Sequence, residues 1–386
     1  MLTSNIKIIN FKIKKQKKTF HYKQIKKINF LKEYKLLNSL TNNYKNSYTK
    51  INMKKLKKIK NVKIIGMGGS ILGSKAIYNF LKHKIIKNFK FIDNLNASEK
   101  LKLNLNKNLN IIISKSGNTL ETISNFSSIK KNKNNIFITE KNNNYLYALA
   151  MQTKSEIVEH KNYIGGRYSV LSEVGMLPAE LMGLNVVKFK QFNNLIKNKR
   201  FILNLINNVN FTLNLIKEGK FNSIILNYDP KSEDFFKWYQ QLIAESLGKK
   251  SKGIMPILSS MPKDNHSILQ LYLDGPKKNF YTFFDVLEKK SNKINKDLIN
   301  KPFENLKNKT IYDVVSSQKV ATMKVFSKKN LPFRSFHILK RDEKTMGELF
   351  SFFILETILL GKALKVNPFD QPSVELIKTE TRKILL

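Results

Sequence analysis

A buried strand that runs into a polar turn and then into a helix occurs twice in the first half of this chain. Val62–Ile65 precedes the glycine-rich loop 66–73, and Asn110–Ser114 precedes the loop Lys115-Ser-Gly-Asn-Thr119. Short buried strands that alternate with helices in this way are typical of a parallel, doubly wound sheet. The pattern therefore predicts an α/β fold.

A second strand–helix cycle follows the lysine- and asparagine-rich stretch 190–220. Asp229-Pro230 supplies an N-cap residue and a proline at the first helical position, and this helix is predicted to run to Leu247 and stop at Gly248. The predicted strands are Val62–Ile65, Phe89–Ile92, Asn110–Ser114, Ile136–Thr139, Ser223–Leu226, Ser267–Leu273 and Tyr281–Val286.

The C-terminal part is predicted to be helical. Thr345-x-x-Glu348 has the form of a capping box that opens a long apolar helix, and Gln371-Pro372 starts a final helix. We expect two doubly wound α/β domains flanked by helices. The expected segments are a basic, mostly helical region 1–60, a first α/β domain 61–190, a second α/β domain 191–344, and C-terminal helices 345–386 that complete the active site.

The formal charge of +42 suggests a nucleic-acid binder, but the distribution of the charge argues against a specific one. Of the 70 basic residues only five are arginine, the residue that makes bidentate contacts, and the lysines are spread along most of the chain. Abundant lysine, asparagine and isoleucine together are what AT-rich codons encode. We therefore expect weak, non-specific binding at low salt and no specific nucleic-acid partner.

The residue inventory also limits cofactors and location. The chain has no cysteine, and its five histidines are too scattered to form a local metal site, so we expect neither a metal nor another cofactor. The N-terminus lacks the apolar core of a signal peptide. The longest apolar run, Leu349–Leu360, contains Glu356 and is too short to span a bilayer. A cytoplasmic protein without a membrane partner is expected.

The glycine-rich loop Gly66-Met-Gly-Gly-Ser-Ile-Leu-Gly73 is of a kind that exposes backbone N–H groups to a phosphate or a hydroxyl-rich ligand. A dinucleotide-binding fingerprint requires glycine at position 71, where Ile71 stands, and a P-loop requires Lys-Ser where Ser74-Lys75 occurs. A purely structural tight turn remains an alternative. We expect Gly69 and Ser70 to contact substrate.

The hydroxyl-rich loop after the strand Asn110–Ser114 is more specific. Three hydroxyl groups and a glycine before a helix can hold a phosphate monoester without a metal, although an ordinary polar loop is the alternative. Asn118 and Glu121 are predicted to cap the helix. The phosphate-binding residues expected here are Ser114, Lys115, Ser116 and Thr119.

These motifs resemble the glucose-6-phosphate isomerase family, which has a two-domain sugar-isomerase fold. Gly66–Ser70 and Ser114–Thr122 are similar to the family's sugar and phosphate loops. Tyr163-Ile-Gly-Gly-Arg-Tyr-Ser-Val-Leu-Ser-Glu-Val-Gly175 resembles its first signature, and Phe369-Asp-Gln-Pro-Ser-Val-Glu-Leu-Ile-Lys378 its second, with Ser373 where glycine is usual. The resemblance implies reversible isomerisation of glucose 6-phosphate and fructose 6-phosphate.

The chemistry of that reaction matches side chains of this chain. Moving a proton between C1 and C2 needs a carboxylate base and a cation facing the enediolate oxygens. Glu245, on a mostly apolar helix, is suited to act as the base, and Gln241, one turn earlier, to orient substrate. Arg167 follows two glycines in a chain that otherwise uses lysine, which points to a need for a rigid cation. A surface glutamate and a structural ion pair are the alternatives for these two residues.

Three further roles follow from the resemblance. It implies that His266 opens the sugar ring and reaches the site from the partner subunit of a homodimer. It implies that Lys378 contacts the ring oxygen and that Gln371, two helical turns earlier, also faces the substrate. A lone histidine is otherwise more often structural, and one lysine among many would carry no signal.

Two other functions remain open on the sequence alone. An isomerase that also accepts mannose 6-phosphate would differ only in a few side chains facing C2. A non-catalytic sensor of sugar phosphates on the same fold would lack the base, yet Glu245, Arg167, His266 and Lys378 are all present.

Overall fold

The computed structural model describes residues 1–11, 18–49, 51–97, 108–129 and 134–385. Ten strands in these residues form two five-stranded sheets. The strands are β1 (Ile6–Ile9), β2 (Asn61–Gly66), β3 (Asn88–Ile92), β4 (Asn108–Ile113), β5 (Asn135–Thr139), β6 (Glu156–Glu159), β7 (Asn222–Asn227), β8 (Met255–Ser260), β9 (Asn279–Val286) and β10 (Phe333–Ile338).

Helices cover these sheets and connect their strands. The α-helices are α1 (Tyr22–Lys27), α2 (Phe30–Glu33), α3 (Met53–Lys57), α4 (Leu72–Phe80), α5 (Leu120–Ser127), α6 (Tyr145–Gln152), α7 (Glu173–Leu181), α8 (Phe192–Lys197), α9 (Lys199–Lys217), α10 (Glu233–Leu247), α11 (Leu269–Asp274), α12 (Ile311–Lys328), α13 (Glu343–Leu364) and α14 (Pro372–Leu385). None of the helices in the described residues is long and apolar enough to cross a membrane.

The first sheet is parallel throughout, with the strand order β3-β2-β4-β5-β6. Every residue of β4 and β5 is buried, as expected for central strands that are covered on both faces. The second sheet has the order β1-β10-β9-β7-β8, in which only β1 is antiparallel to its neighbour. Read from its other edge, the parallel part of this sheet is β8-β7-β9-β10, which corresponds to β3-β2-β4-β5 of the first sheet. The doubly wound α/β prediction is confirmed.

Several predicted elements lie elsewhere in the structure. The strand predicted at 267–273 is wrong, because that region is largely the helix α11, whereas the strand of this part of the chain is β8. Leu269, Leu271 and Leu273 alternate with polar residues and so resemble a strand, whereas Pro256 obscures β8. Proline is tolerated in β8 because this strand lies at the edge of its sheet.

The start of α13 is also displaced from its prediction. Asp342 is the N-cap residue, and its Oδ1 accepts a hydrogen bond of 2.9 Å from the Thr345 backbone N–H. Glu348 instead accepts a hydrogen bond of 2.7 Å from Thr3 Oγ1, so the predicted capping box is not formed. The apolar residues of this helix are buried as predicted, and the final helix starts at Pro372 as predicted.

Residues 1–60 contain short helices and also β1, which completes the second sheet. The stretch 190–220, which the sequence presents as a separator rich in lysine and asparagine, forms α8 and the long helix α9. The residue boundaries of the four expected segments stay a prediction.

Candidate active site

The two polar loops lie side by side at the carboxyl edge of the first sheet. β2 and β4 are neighbouring parallel strands, and their pairing brings Gly66 opposite Ile113 at the point where both strands end. β3 flanks β2 on the other side, so the direction of strand addition reverses between β2 and β4. Open α/β sheets bind ligands at such a switch point, outside the carboxyl ends of the strands.

Close packing explains the glycines of the first loop. Gly68 has a φ of +51°, and a Cβ at this position would lie 2.6 Å from Gln241 Nε2. A Cβ on Gly69 would lie 2.2 Å from the carbonyl carbon of Gly166. The loop therefore packs directly on the turn that starts at Gly166 and on α10. Half-buried Ser70 ends this part of the loop.

Two of the three hydroxyl groups of the second loop are in contact. Ser114 Oγ lies 2.7 Å from Thr119 Oγ1 and accepts a hydrogen bond of 3.2 Å from the Gly117 backbone N–H. Ser116 Oγ accepts one of 3.3 Å from the Asn118 N–H. The loop ends at α5, whose first turn has no side-chain cap. Ser116 and Thr119 line a cavity at this point, whereas Ser114 is buried.

Two side chains of this loop point elsewhere. Asn118 Oδ1 accepts a hydrogen bond of 3.0 Å from the Tyr145 N–H, so the predicted capping pair with Glu121 is wrong. Thr119 is the N-cap residue. Lys115 Nζ donates to the Asn162 carbonyl at 2.7 Å and lies 3.7 Å from Glu140 Oε1. Lys115 is therefore tied to the segment after β6.

Arg167 is the most extensively bonded side chain at the site. Its side chain is 2% exposed. Its Nε donates to Ser246 Oγ at 2.8 Å, and its Nη1 donates to Glu245 Oε2 at 3.0 Å and to Gln371 Oε1 at 2.7 Å. Its Nη2 donates to the carbonyl oxygens of Pro368 and Asp370 at 2.7 and 3.0 Å. All five N–H donors of the guanidinium therefore have protein acceptors.

Glu245 and Gln241 lie on the same face of α10, as their spacing predicts. Gln241 Nε2 donates a hydrogen bond of 2.9 Å to Glu245 Oε1, so both oxygens of this carboxylate are engaged, one by Gln241 and one by Arg167. The Glu245 side chain is still 30% exposed. Gln241 Oε1 is buried and accepts no hydrogen bond from the described residues. The pair thus offers an accessible carboxylate beside an unused acceptor.

Sequence reasoning missed the ring of hydrogen bonds that holds Arg167 in place. Tyr168 Oη lies 2.9 Å from Ser246 Oγ and donates to the Pro368 carbonyl at 2.9 Å. Because tyrosine has a single hydroxyl proton, Ser246 must donate to Tyr168 while it accepts from Arg167. The ring closes where Arg167 also donates to Pro368. Trp238 Nε1 donates a hydrogen bond of 3.0 Å to the Arg167 backbone carbonyl.

The C-terminal residues of the expected site occupy two positions. Gln371 joins the Arg167 cluster directly. Lys378, on the exposed helix α14, pairs with Glu375 Oε1 at 2.6 Å, and no bond to that cluster is seen in the described part of the chain. Lys378 nevertheless lines a cavity of about 330 Å³ together with Ser116 and Thr119 of the hydroxyl loop. The structure thus places Lys378 opposite the hydroxyl loop.

His266, like Lys378, has no hydrogen bond to the Arg167 cluster in the described part of the chain. It lies at the end of the short 3₁₀ turn Lys263–His266, and its side chain is exposed. No hydrogen bond joins it to Glu245 or Arg167 within the described part of the chain.

Comparisons of the sequence with known proteins agree on one family. The phosphoglucose isomerase family model matches residues 38–260, which is more than half of the chain. The glucose-6-phosphate isomerase of Methanocaldococcus jannaschii is 34% identical over 343 residues, which cover 83% of this chain and 83% of that protein.

Solved structures share the fold. A hypothetical protein from Thermus thermophilus superimposes with a TM-score of 0.80 at 22% identity, covering 94% of both chains. A glucose-6-phosphate isomerase from Chlamydia trachomatis superimposes with a TM-score of 0.66 at 20% identity, covering 86% of this chain and 70% of that one. At these identities the likeness concerns the arrangement of sheets and helices.

Proposed function

This chain belongs to the phosphoglucose isomerase family, and we propose that it performs the family's reaction at the site built around Arg167. It is an aldose–ketose isomerase that interconverts glucose 6-phosphate and fructose 6-phosphate. The observation that carries the proposed site is the contact of one accessible carboxylate, Glu245, with a fully bonded guanidinium and with Gln241.

Glu245 is the base that moves the proton between C1 and C2. A general base must reach the carbon-bound proton, and the 30% exposure of this carboxylate leaves it open to a bound sugar. Gln241 Oε1 is a buried acceptor that has no donor among the described residues, so a sugar hydroxyl is a suitable partner. Gln241 thus both fixes the carboxylate and orients the substrate.

Arg167 stabilises the negative charge of the enediolate. All of its donors are engaged by the protein, so a substrate oxygen must replace an existing acceptor. The acceptors of Nε and Nη2 are a buried hydroxyl and backbone carbonyls, which are fixed in the fold. The acceptors of Nη1 are the side chains of Gln371 and Glu245. Gln371 is the neutral one, so we expect it to give way.

The phosphate group binds in the hydroxyl loop. Ser114, Ser116 and Thr119 present hydroxyl groups beside the uncapped first turn of α5, where backbone N–H groups attract an anion. Lys378 lines the other side of the same cavity and supplies a cation. Gly69 and Ser70 lie in the neighbouring loop, in which Gly68 packs on Gln241. The sugar then extends from the phosphate loop toward Glu245.

Ring opening uses His266 and Lys378. A histidine titrates near neutral pH and can transfer the ring proton in either direction. His266 is exposed and has no hydrogen bond to Glu245 among the described residues, which supports the proposal that it comes from a second copy of the protein. This makes the active unit a homodimer in which each site is composed of residues from two chains.

The remaining parts of the proposal concern metal requirement, cellular location and macromolecular partners. The reaction needs no metal, since every role is assigned to a side chain. The protein works in the cytoplasm, binds no membrane, and takes no nucleic acid as a specific partner, because its lysines are dispersed rather than clustered.

A coupled assay tests the function most simply. Fructose 6-phosphate is supplied, and glucose 6-phosphate formation is followed with EDTA present. The proposal expects sustained turnover that EDTA does not reduce. Loss of turnover with EDTA would refute the metal-free mechanism. Mannose 6-phosphate in the same assay distinguishes the strict isomerase, which we propose, from one of broader specificity.

A further inference from the structure

The second sheet has two faces, and the Arg167 site lies on only one side of it. Phe284 of β9 packs on Phe236 of α10, with ring centroids 4.9 Å apart. The adjacent residue of β9, Phe283, packs on Phe326 of α12, with centroids 5.3 Å apart. Successive side chains of a strand point to opposite faces, so Asp285 shares the α12 face with Phe283. α10 carries Glu245, so this face is separate from the active site.

Three polar side chains form a row across this face. Lys7 of β1 is directly opposite His337 of β10, and His337 is opposite Asp285 of β9. His337 Nδ1 lies 2.8 Å from Asp285 Oδ2. Lys319 of α12 donates to the other oxygen, Asp285 Oδ1, from above the sheet. A carboxylate, an imidazole and the Lys319 ammonium group thus meet between α12 and the edge strand β1, and Lys7 lines the cavity beside them.

The charges of this group are not balanced. Burial tends to raise the pKa of Asp285, but the hydrogen bond with His337 and the charge of Lys319 outweigh it, so the pKa is lowered and the carboxylate is ionised. Two lysines against one carboxylate leave one positive charge in excess. The Lys7 side chain is exposed, and its Nζ has no acceptor among the described residues. A monoanion would complete the charge balance.

His337 offers a second recognition element. Asp285 can only accept, so the proton of a neutral His337 ring lies on Nδ1. Its Nε2 is then an acceptor, and no donor among the described residues reaches it. The His337 side chain is 27% exposed, so this nitrogen is accessible. A ligand hydroxyl group is the partner that fits it.

A cavity of about 490 Å³ lies over this row, a size within the range of small-molecule sites. Ile9, Val320 and Met323 supply apolar wall, and Ser335 lies beside His337 at its base. Ile9 and Val320 are about half exposed, so the cavity opens to solvent. Polar groups at one end and aliphatic side chains at the other suit a small amphipathic molecule.

We propose that this cavity is a second ligand site, on the opposite face of the second sheet from the isomerase site, that binds a small α-hydroxy monocarboxylate with an aliphatic body. The carboxylate pairs with Lys7 and Lys319. The hydroxyl group donates to His337 Nε2, and the aliphatic part lies along Val320 and Met323.

The test observes His337 directly. The imidazole signals of the ¹⁵N-labelled protein are recorded at pH about 8, above the ordinary histidine range, and His337 is assigned with the variant His337→Gln. α-Hydroxyisocaproate is the probe. It should shift the His337 signals saturably, and Lys7→Gln should weaken binding about tenfold, the effect of losing one charge-assisted contact. Lys324→Gln, an exposed lysine of α12, is the matched control and should leave binding unchanged.

Further ligands separate the parts of the proposal. Isocaproate, which lacks the hydroxyl group, and inorganic phosphate, which lacks the aliphatic body, should both bind more weakly. The absence of a saturable shift in the wild type, equal binding by Lys7→Gln, or equal affinity for isocaproate would overturn the assignment. Isomerase activity of Lys7→Gln shows that the variant is folded and makes this result independent of the Arg167 site.

Discussion

Arg167 is held more firmly than a surface ion pair would be, because its donors are divided between α10 and the segment 368–371. Ser246 and Tyr168 link the two sides by hydrogen bonds of 2.8 to 2.9 Å. A guanidinium that is fixed before the substrate arrives need not move to stabilise the developing charge; in the proposed mechanism only Gln371 is displaced from Nη1. In the proposed mechanism, Arg167 thus has a structural role and a catalytic role at once.

This network predicts the behaviour of Tyr168→Phe. The change leaves Ser246 and the Pro368 carbonyl with one partner fewer, at a cost of about 1–3 kcal/mol in unfolding free energy. Because Arg167 then loses its fixed plane, kcat should fall at least tenfold while KM changes little. Steady-state kinetics and urea unfolding measure the two effects. Tyr228→Phe, which removes a buried hydroxyl on the α12 face, should lose stability but keep kcat. Equal kinetic losses in both variants would contradict the positioning role.

The burial of His160 leads to a prediction about how the free energy of unfolding changes in acid. Burial lowers the pKa of His160 to about 4, so the folded protein keeps this ring neutral while the unfolded chain protonates it near pH 6.5. This difference in pKa does not affect the free energy of unfolding above pH 6.5. Below that pH, proton uptake by the unfolded chain lowers the free energy of unfolding, by up to about 3 kcal/mol as the pH approaches 4. His160→Asn should therefore show a smaller fall in unfolding free energy between about pH 7 and pH 4.5. Identical falls in both proteins would show that His160 is not involved.

The hydroxyl loop and the final helix are the elements that we propose to bind the phosphate group. Changing Ser114, Ser116 and Thr119 together to alanine removes the three hydroxyl groups of this loop. We expect KM for fructose 6-phosphate to rise at least tenfold, since hydrogen bonds to a charged group are stronger than neutral ones. Protection by inorganic phosphate against thermal unfolding should also disappear. Ser128→Ala, at the other end of α5, is the control. An unchanged KM in the triple variant would place the phosphate elsewhere.

The sequence predicts elements well where apolar runs are short and bounded by glycine or polar turns. β2, β4 and β5 belong to this class, and so do the loops after β2 and β4. It fails where composition obscures the pattern. Asparagine and lysine hide the apolar face of α9, and β1 pairs with β10, which lies near the other end of the chain. Local pattern carries no information on such a pairing.

Within the site, the sequence predicts some residues and misses others for physical reasons. Motif residues predict Arg167, Glu245 and Gln241 because their chemistry is distinctive. Ser246 and Tyr168 are ordinary residue types, and their role depends on where the segment 368–371 returns in space. The direction of Lys115 is likewise set by a tertiary contact, the Asn162 carbonyl.

At the scale of the whole molecule, the site joins two halves with related topology. α10 lies between the strands of the second sheet in sequence, yet it packs on α4 and on the loops of the first sheet. Glu245 therefore reaches a switch point that belongs to the other half. The proposed composite site would extend the same principle to a second chain through the exposed His266.

Subunit exchange tests the composite site. Inactive His266→Ala and Glu245→Gln proteins are mixed under conditions in which exchange is shown independently. Random exchange gives mixed dimers in about half of the population, each with one intact site, so activity should recover to about a quarter of the wild-type level. Each protein incubated alone is the control. No recovery would place His266 and Glu245 in the same chain.

The most direct test of the central claim is exchange of the carbon-bound proton with deuterated water, followed by NMR. Wild-type protein should exchange the C1 or C2 proton of its substrate during turnover. Glu245→Gln should still bind the phosphosugar but exchange it about 10²–10⁴ times more slowly, because a general base contributes that much to rate. Glu233→Gln, at the start of the same helix, should exchange at the wild-type rate. Exchange by Glu245→Gln at more than about a tenth of the wild-type rate would show that another group is the base.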